Sequence, residues 1–430
     1  MTIPKQNIDS RELPRFDRGT LESNIILSCL GKGNIGGKAS GLARIQKTLI
    51  SYFETEPFPG FQISIPRMVV LASDIFDNFM QRNSLWDIVN NLQASDKSIA
   101  IEFQHASLPV EIVGDLRALI TGIKSPLAVR SSSMLEDAIY EPLAGVYCTK
   151  MIPNNQPDTD TRFRKLTEAI KFIYASTFFD TAKDYRQAIG KTNSDEKMAV
   201  IIQEVVGEKF GNYYYPHIAG VARSFDFYPM ARAKPEDGVV NLAFGLGKTI
   251  VDGGLVWSFS PSFPNVSPPL ASVRDLLKNS QTKFWAVNLG KPPEYDPINE
   301  AEYLIHLEIS KAEYDGTLKF IASTYQADND RLIIGIGSKG ARLINFAPIL
   351  RAELIRLNDL LKKIMRLCEK SFECDIEIEF AVCLDENGEN SKFGFLQIRP
   401  MVVSRDVVEI SDDEMGNTNN LLVSDKVLGN

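Results

Sequence analysis

Apolar and polar residues alternate strictly over residues 374–401, CDIEIEFAVCLDENGENSKFGFLQIRPM. Successive side chains of a strand point to opposite faces, so the pattern predicts two strands with one face buried. Ile376, Ile378, Phe380 and Val382 form the apolar set of the first arm, which leaves Glu377 and Glu379 together on the other face. In the second arm Leu396 and Ile398 are apolar, and Gln397 and Arg399 fall opposite. The polar run 385–390 between the arms predicts an antiparallel hairpin. Carboxylate and amide oxygens on one face suit a hard cation such as Mg²⁺, and a guanidinium forks onto phosphate oxygens. A solvated outer face with a surface ion pair is the plainer reading of the same pattern.

Short apolar runs predict strands at 24–30, 65–71, 198–206, 238–243 and 284–288, that at 198–206 by its length and β-branching. They predict hairpins within 211–228 and across the Asp315-Gly316 turn, joining 304–310 to 317–323. Ser73 or Asp74 is expected to N-cap the helix after the second strand. Residues 84–122 read as mostly helical, with Pro109 opening a new helix, and 162–189 as a helical pair. Residues 350–369 carry Leu354, Leu357, Leu361, Ile364 and Cys368 at helical spacing, an amphipathic helix. The organisation expected is a peripheral segment 1–23, an N-terminal lobe 24–195, a second lobe 196–403 and a polar tail 404–430.

Composition narrows the class. The chain has 430 residues, 44% hydrophobic and 24% charged, with net charge −8. That balance argues against nucleic acid as a partner, since phosphate-backbone binding needs a basic surface. Five cysteines without a CxxC pair read as free thiols of a reducing compartment. No apolar run approaches the roughly 20 residues of a membrane span. The start is unlike a signal peptide, and together these features read as a cytoplasmic protein with no membrane partner. The three histidines, His105, His217 and His306, sit in no hydrolase or metal constellation and read as structural or surface residues.

Several stretches bear on chemistry. GKGNIGGK, from Gly31, lacks the context of a dinucleotide fingerprint and the Ser or Thr of a Walker A loop. What remains is a Gly-rich turn bringing backbone N–H groups and Lys38 to an anion at a helix start, or a tight turn with a solvated lysine. Arg130 closes an apolar strand ahead of three serines, a phosphate fork with added donors or a surface residue. Gly145 and Thr149 permit close approach to phosphate oxygens. Gln203, Glu204, Val205 and Val206, at the end of a buried strand, offer main-chain groups to an adenine edge.

GGKASGL, PLAVRSSSMLED, EPLAGVY, VIIQEVV, HIAGVARS, FGLGKTIVDGG, EIEFAV and LQIRPM follow in order over about residues 30–401. Together they resemble the N-terminal nucleotide-binding domain of pyruvate phosphate dikinase and phosphoenolpyruvate synthase. The resemblance implies an α+β, ATP-grasp-like, two-lobed fold that binds ATP and Mg²⁺. It implies that Lys38 and Arg130 contact the phosphates and that Gly145 and Thr149 belong to a phosphate-covering loop. Gln203 to Val206 would be the adenine hinge, Glu379 and Gln397 the Mg²⁺ ligands, and Arg399 the grip on the β- and γ-phosphates. Glu377 stands at a catalytic position where members of the family usually carry aspartate. Members pass phosphate to a histidine in a separate domain, and none of the three histidines here has that acceptor's context. The acceptor is therefore expected on another domain or chain, and residues 421–430 resemble the start of a following segment. Phosphorylation of a small molecule or glucan, and a non-catalytic ATP-sensing module, stay open as alternatives.

Overall fold

The computed structural model describes residues 10–23, 25–91, 93–133, 146–266, 272–401 and 403. Four sheets and the helices around them make a mixed α+β architecture. The first sheet orders its strands Leu27–Leu30, Met68–Leu71, Met198–Glu204, Leu127–Ser133, Thr149–Ile152. The second orders Trp257–Phe259, Val239–Ala243, Ile218–Arg223, Ile376–Cys383, Asn390–Pro400, Gly60–Ser64. A third joins Leu304–Glu308, Lys283–Asn288, Tyr213–Tyr215 and Glu208–Phe210, and a fourth Arg331–Ile334, Ala322–Gln326 and Ala341–Ile344.

The two large sheets exchange segments across the expected lobe border. Gly60–Ser64 pairs in parallel with Asn390–Pro400, and Met198–Glu204 lies at the centre of the first sheet. Part of the expected peripheral segment contacts the first sheet. Arg15 bridges to Cys29, and Phe16 is buried with its N–H donating to the Cys29 carbonyl.

The helix Gly36–Thr55 lies against strands of both large sheets, Leu127–Ser133 and Asn390–Pro400. Glycine makes the fit possible. A Cβ on Gly36 (φ +74°) would stand 1.7 Å from the Ser132 carbonyl oxygen, and one on Gly41 2.6 Å from that of Ile398. Backbone thus meets backbone on both sides of one helix. Its apolar side (Ala39, Leu42, Ile45, Leu49) shares a core with Leu357–Phe372, whose Leu357, Leu361, Ile364 and Cys368 are buried. Each such aliphatic side chain contributes roughly 1.5–3 kcal/mol by leaving water. Leu354 is not among them, being 58% exposed ahead of the helix.

Both tentative hairpins pair otherwise. Pro216 parts Tyr213–Tyr215 from Ile218–Arg223, and the two strands enter different sheets. Leu304–Glu308 pairs with Lys283–Asn288, not with residues 317–323. The Asp315-Gly316 signal ends the short helix Ile309–Tyr314, with Gly316 at φ +75°, a use of glycine as common as a hairpin turn.

The histidines are structural or at the surface. His105 and His306 are exposed, and His217 is buried with Nδ1 accepting from the Leu384 N–H at 3.1 Å. Burial lowers the His217 pKa from 6.5 to about 4. Because the folded value lies below the unfolded one, the unfolded chain binds the extra proton and stability falls as pH drops through that window. We expect a loss of up to about 3 kcal/mol between pH 6.5 and 4 from this residue. His217→Asn, which keeps an acceptor for Leu384, should flatten that part of a denaturant-melt pH profile; an unchanged slope would exclude the assignment.

Candidate functional site

The Gly-rich turn already holds an anion, and it comes from the chain itself. Asp74 accepts from the Lys32 and Gly33 N–H groups at 2.9 and 3.0 Å, and Ser73 Oγ accepts from Asn34 N–H at 2.9 Å. These side chains hold the loop instead of capping their own helix, whose N-cap is Ala72 without a side-chain bond. The loop N–H groups therefore face inward, and the helix they introduce is positioned by the pairing. Lys38 follows within the first turn, buried, with Nζ donating to Ser131 Oγ at 3.2 Å.

The three serines after Arg130 are also internal. Ser132 Oγ donates to the Ile35 carbonyl and accepts from Ala39 N–H, and Ser133 Oγ donates to the buried Glu196 carboxylate. Tyr147 donates to the other oxygen of Glu196 at 2.6 Å. Burial raises the pKa of the Glu196 carboxyl and that of the Tyr147 hydroxyl. The serines and Glu196 tie helix and strand together and leave Arg130 as the group that projects.

Across from it lies the polar face of the second sheet. Glu377 pairs with Arg399, and Glu379 with Gln397, so these four side chains share one face. The register shifts between Glu379 and Phe380, where Leu396 is the extra residue on the second strand. The bulge resets the alternation: Phe395 enters the core, while Leu396 leaves the expected core set and lines a cleft. Arg130 reaches over from the first sheet, its Nη2 donating to Glu379 Oε2 at 3.0 Å and to Gln397 Oε1 at 2.7 Å. Two residue pairs further on, on the same face, Glu377 is saturated. Its Oε1 accepts from Arg399 Nε and Nη2 at 2.7 and 2.6 Å, and its Oε2 from Arg223 Nε.

Between the sheets opens a cleft of about 290 Å³. Arg130, Thr149, Glu379 and the segment Gln203 to Val206 all line it, with apolar walls that include Ala128, Met151, Leu246 and Leu396. The hinge is partly committed to the fold. Glu204 N–H donates to the Arg67 carbonyl and Val205 N–H to that of Pro126, while the Val205 carbonyl accepts from Tyr214. The Glu204 carboxylate accepts from Ser125 at 2.6 Å, and the Gln203 side chain is buried. Among the described residues no hydrogen bond engages the Val206 N–H, and Val206 lines the cleft.

Gln397 adjoins the cleft through its bond to Arg130, whereas Lys38 and Arg399 do not line it and neither do their partners Ser131 and Glu377. Gly145 lies outside the described residues. The cleft also holds three charged residues outside the predicted site, Lys248, Asp252 and Glu300. Glu300 accepts from the Thr149 N–H at 2.9 Å, and Lys248 stands 3.1 Å from Asp252 and 4.0 Å from Glu300. Only the glycine-bounded FGLGKTIVDGG stretch marked Lys248 as unusual, and nothing local marked Glu300.

The mixed α+β fold is of the ATP-grasp type, and its cleft sets a polar sheet face opposite a guanidinium, beside the end of a strand. A family model for the AMP/ATP-binding domain of pyruvate phosphate dikinase matches residues 32–418, and the chain belongs to that family. ATP or AMP binding goes with membership. Among the described residues, no helix is long and apolar enough to cross a membrane.

The Asp74 contact yields a direct expectation. Asp74→Ala strands two backbone N–H groups and should lower stability by about 2 kcal/mol in denaturant melts. Asp74→Asn keeps an acceptor and should lose less; equal melts for wild type and both variants would show that the loop holds itself.

Proposed function

We propose that the chain binds Mg·ATP in this cleft and passes phosphate from it to a histidine on another domain or chain. The observation that carries the reading is the meeting of Arg130 with Glu379 and Gln397 beside a hinge with a spare N–H. Adenine presents an acceptor at N1 and a donor at its amine, which suit the Val206 N–H and a neighbouring hinge carbonyl. Guanine presents a donor at N1, so the same N–H would oppose it.

Glu379 and Gln397 fit a small hard cation. Their oxygens already converge on one cationic nitrogen of Arg130, and hard oxygens are what Mg²⁺ selects. Among the described residues no group of three His, Cys, Asp or Glu side chains forms a cage, so phosphates and water would complete the shell. When bound, the metal supplies charge neutralisation at the phosphate oxygens. Arg130 and Lys38 on one side and Arg399 on the other would hold those oxygens in line for attack. Transfer needs positioning and electrostatic stabilisation more than covalent help from the protein. An acceptor imidazole nitrogen forms the P–N bond as a phosphoanhydride P–O bond breaks, and the electron pair leaves on the departing oxygen.

Calorimetry on the full chain tests the binding half. ATP should bind only with Mg²⁺, at least about tenfold more tightly than GTP, and Glu379→Ala or Arg399→Ala should weaken it at least about tenfold. Unchanged binding in both variants would remove these residues from the site. The transfer half is tested by incubating the chain with γ- and β-labelled ATP and a histidine-bearing acceptor domain. Acid-labile, base-stable label on the acceptor is expected, and its absence despite ATP binding would favour a sensing module.

A further inference from the structure

The saturated carboxylate of Glu377 points to a residue whose role is otherwise unassigned. Arg223, Glu377 and Arg399 lie directly opposite one another on three adjacent strands, so their side chains form a row across one sheet face. Glu377 at the centre is 7% exposed and holds a guanidinium on each oxygen. Arg223 uses only Nε in this contact, and its side chain is 37% exposed. Its Nη1 and Nη2 groups carry no partner among the described residues, so the outward edge of the fork is available.

The row's position says what it can meet. Along Ile376–Cys383, Ala381, Phe380 and Glu379 line the cleft, and Glu377 lies two residues further out. At the rise of a strand, that places the arginine row about 7 Å beyond the Glu379–Gln397 pair, away from the hinge. Two arginines sharing one carboxylate leave the row a net charge of +1, and the carboxylate holds both forks toward each other. Such a row at the far end of a nucleotide cleft is built for the outermost oxygens of a polyphosphate.

We infer that Arg223 is a second phosphate-gripping guanidinium, paired with Arg399 through Glu377 and contacting the terminal phosphate of the nucleotide. The inference rests on the nucleotide reading above and extends it to a residue and a specificity: the row tells a triphosphate from a monophosphate. AMP, with its single phosphate near the ribose, ends before the row. A purely structural Arg223 would support Glu377 and would have no preference between the two nucleotides.

Titration calorimetry of ATP and AMP against wild type, Arg223→Ala and Arg223→Lys separates these roles. Arg223→Ala should lose about tenfold to a hundredfold in ATP affinity, as expected for a charged hydrogen-bond donor, with AMP affinity held within about twofold. Arg223→Lys keeps the charge and the ion pair but not the fork, and should lose ATP affinity to a smaller extent at an unchanged melting temperature. If Arg223→Ala does not fold, the lysine variant carries the same comparison. An unmoved ATP-to-AMP affinity ratio in the folded variants overturns the inference alone. Wild-type protein that binds neither nucleotide overturns the nucleotide reading and this inference with it.

Discussion

The guanidinium of Arg130 is where the two large sheets become one site. It leaves a buried strand of the first sheet, is 13% exposed, and ends between a carboxylate and an amide of the second. A pair this enclosed adds little net stability, because taking both ions out of water offsets their attraction. Its effect is on position. Four acceptors surround Arg130, with Gln203 Oε1 and the Leu396 carbonyl at 3.5 Å as well, so hinge, bulge and metal-type oxygens are all referred to one side chain. The helix Gly36–Thr55 makes this contact possible, since Gly36 and Gly41 let both sheets approach the same helix.

Charge in and around the cleft is matched internally. Arg130 is paired with Glu379, Lys248 with Asp252, and Arg399 and Arg223 with Glu377, while Glu300 accepts from the Thr149 N–H. A bare polyanion drawing Arg130 away would leave Glu379 a partly buried carboxylate without its partner, which is costly in a low dielectric. A polyanion arriving with a divalent cation makes an exchange instead. In the proposed complex phosphate would take the guanidinium, and a divalent cation would take the oxygens it vacates. The internal pairing would thus couple the proposed nucleotide and metal sites.

Much of this was legible in the residue order. The hairpin and its polar face follow from period-two alternation, and the strand 198–206 from its length and β-branching, all of which depend only on neighbours in the chain. What escaped depends on distant partners. Asp74 satisfies the glycine turn from about forty positions away, and no local rule distinguishes it from an ordinary first-turn helix acid. Leu396 was misplaced because one inserted residue reverses the parity of everything beyond it. Tyr213–Tyr215 and Ile218–Arg223 look like hairpin arms, yet strand pairing is chosen by the sheets on either side. Glu300 sits in a stretch with no periodicity at all, and only the fold brings it to Thr149.

Glu377 concentrates these lessons. On pattern alone it equals Glu379, the same residue type on the same face. Register separates them: Glu379 faces one guanidinium from another sheet, which a ligand can draw off, whereas Glu377 is held by two from its own strands' neighbours. For the proposed cation that leaves two hard oxygens, one charged and one neutral. So sparse a set would suit Mg²⁺, which keeps most of its shell for water and phosphate. Such a metal would come with the nucleotide. The extra methylene of glutamate over aspartate lengthens the reach of the carboxylate toward the flanking strands, where Arg223 and Arg399 stand. Glu377 thereby organises two arginines, a placement that residue type and sheet face alone do not distinguish from that of Glu379.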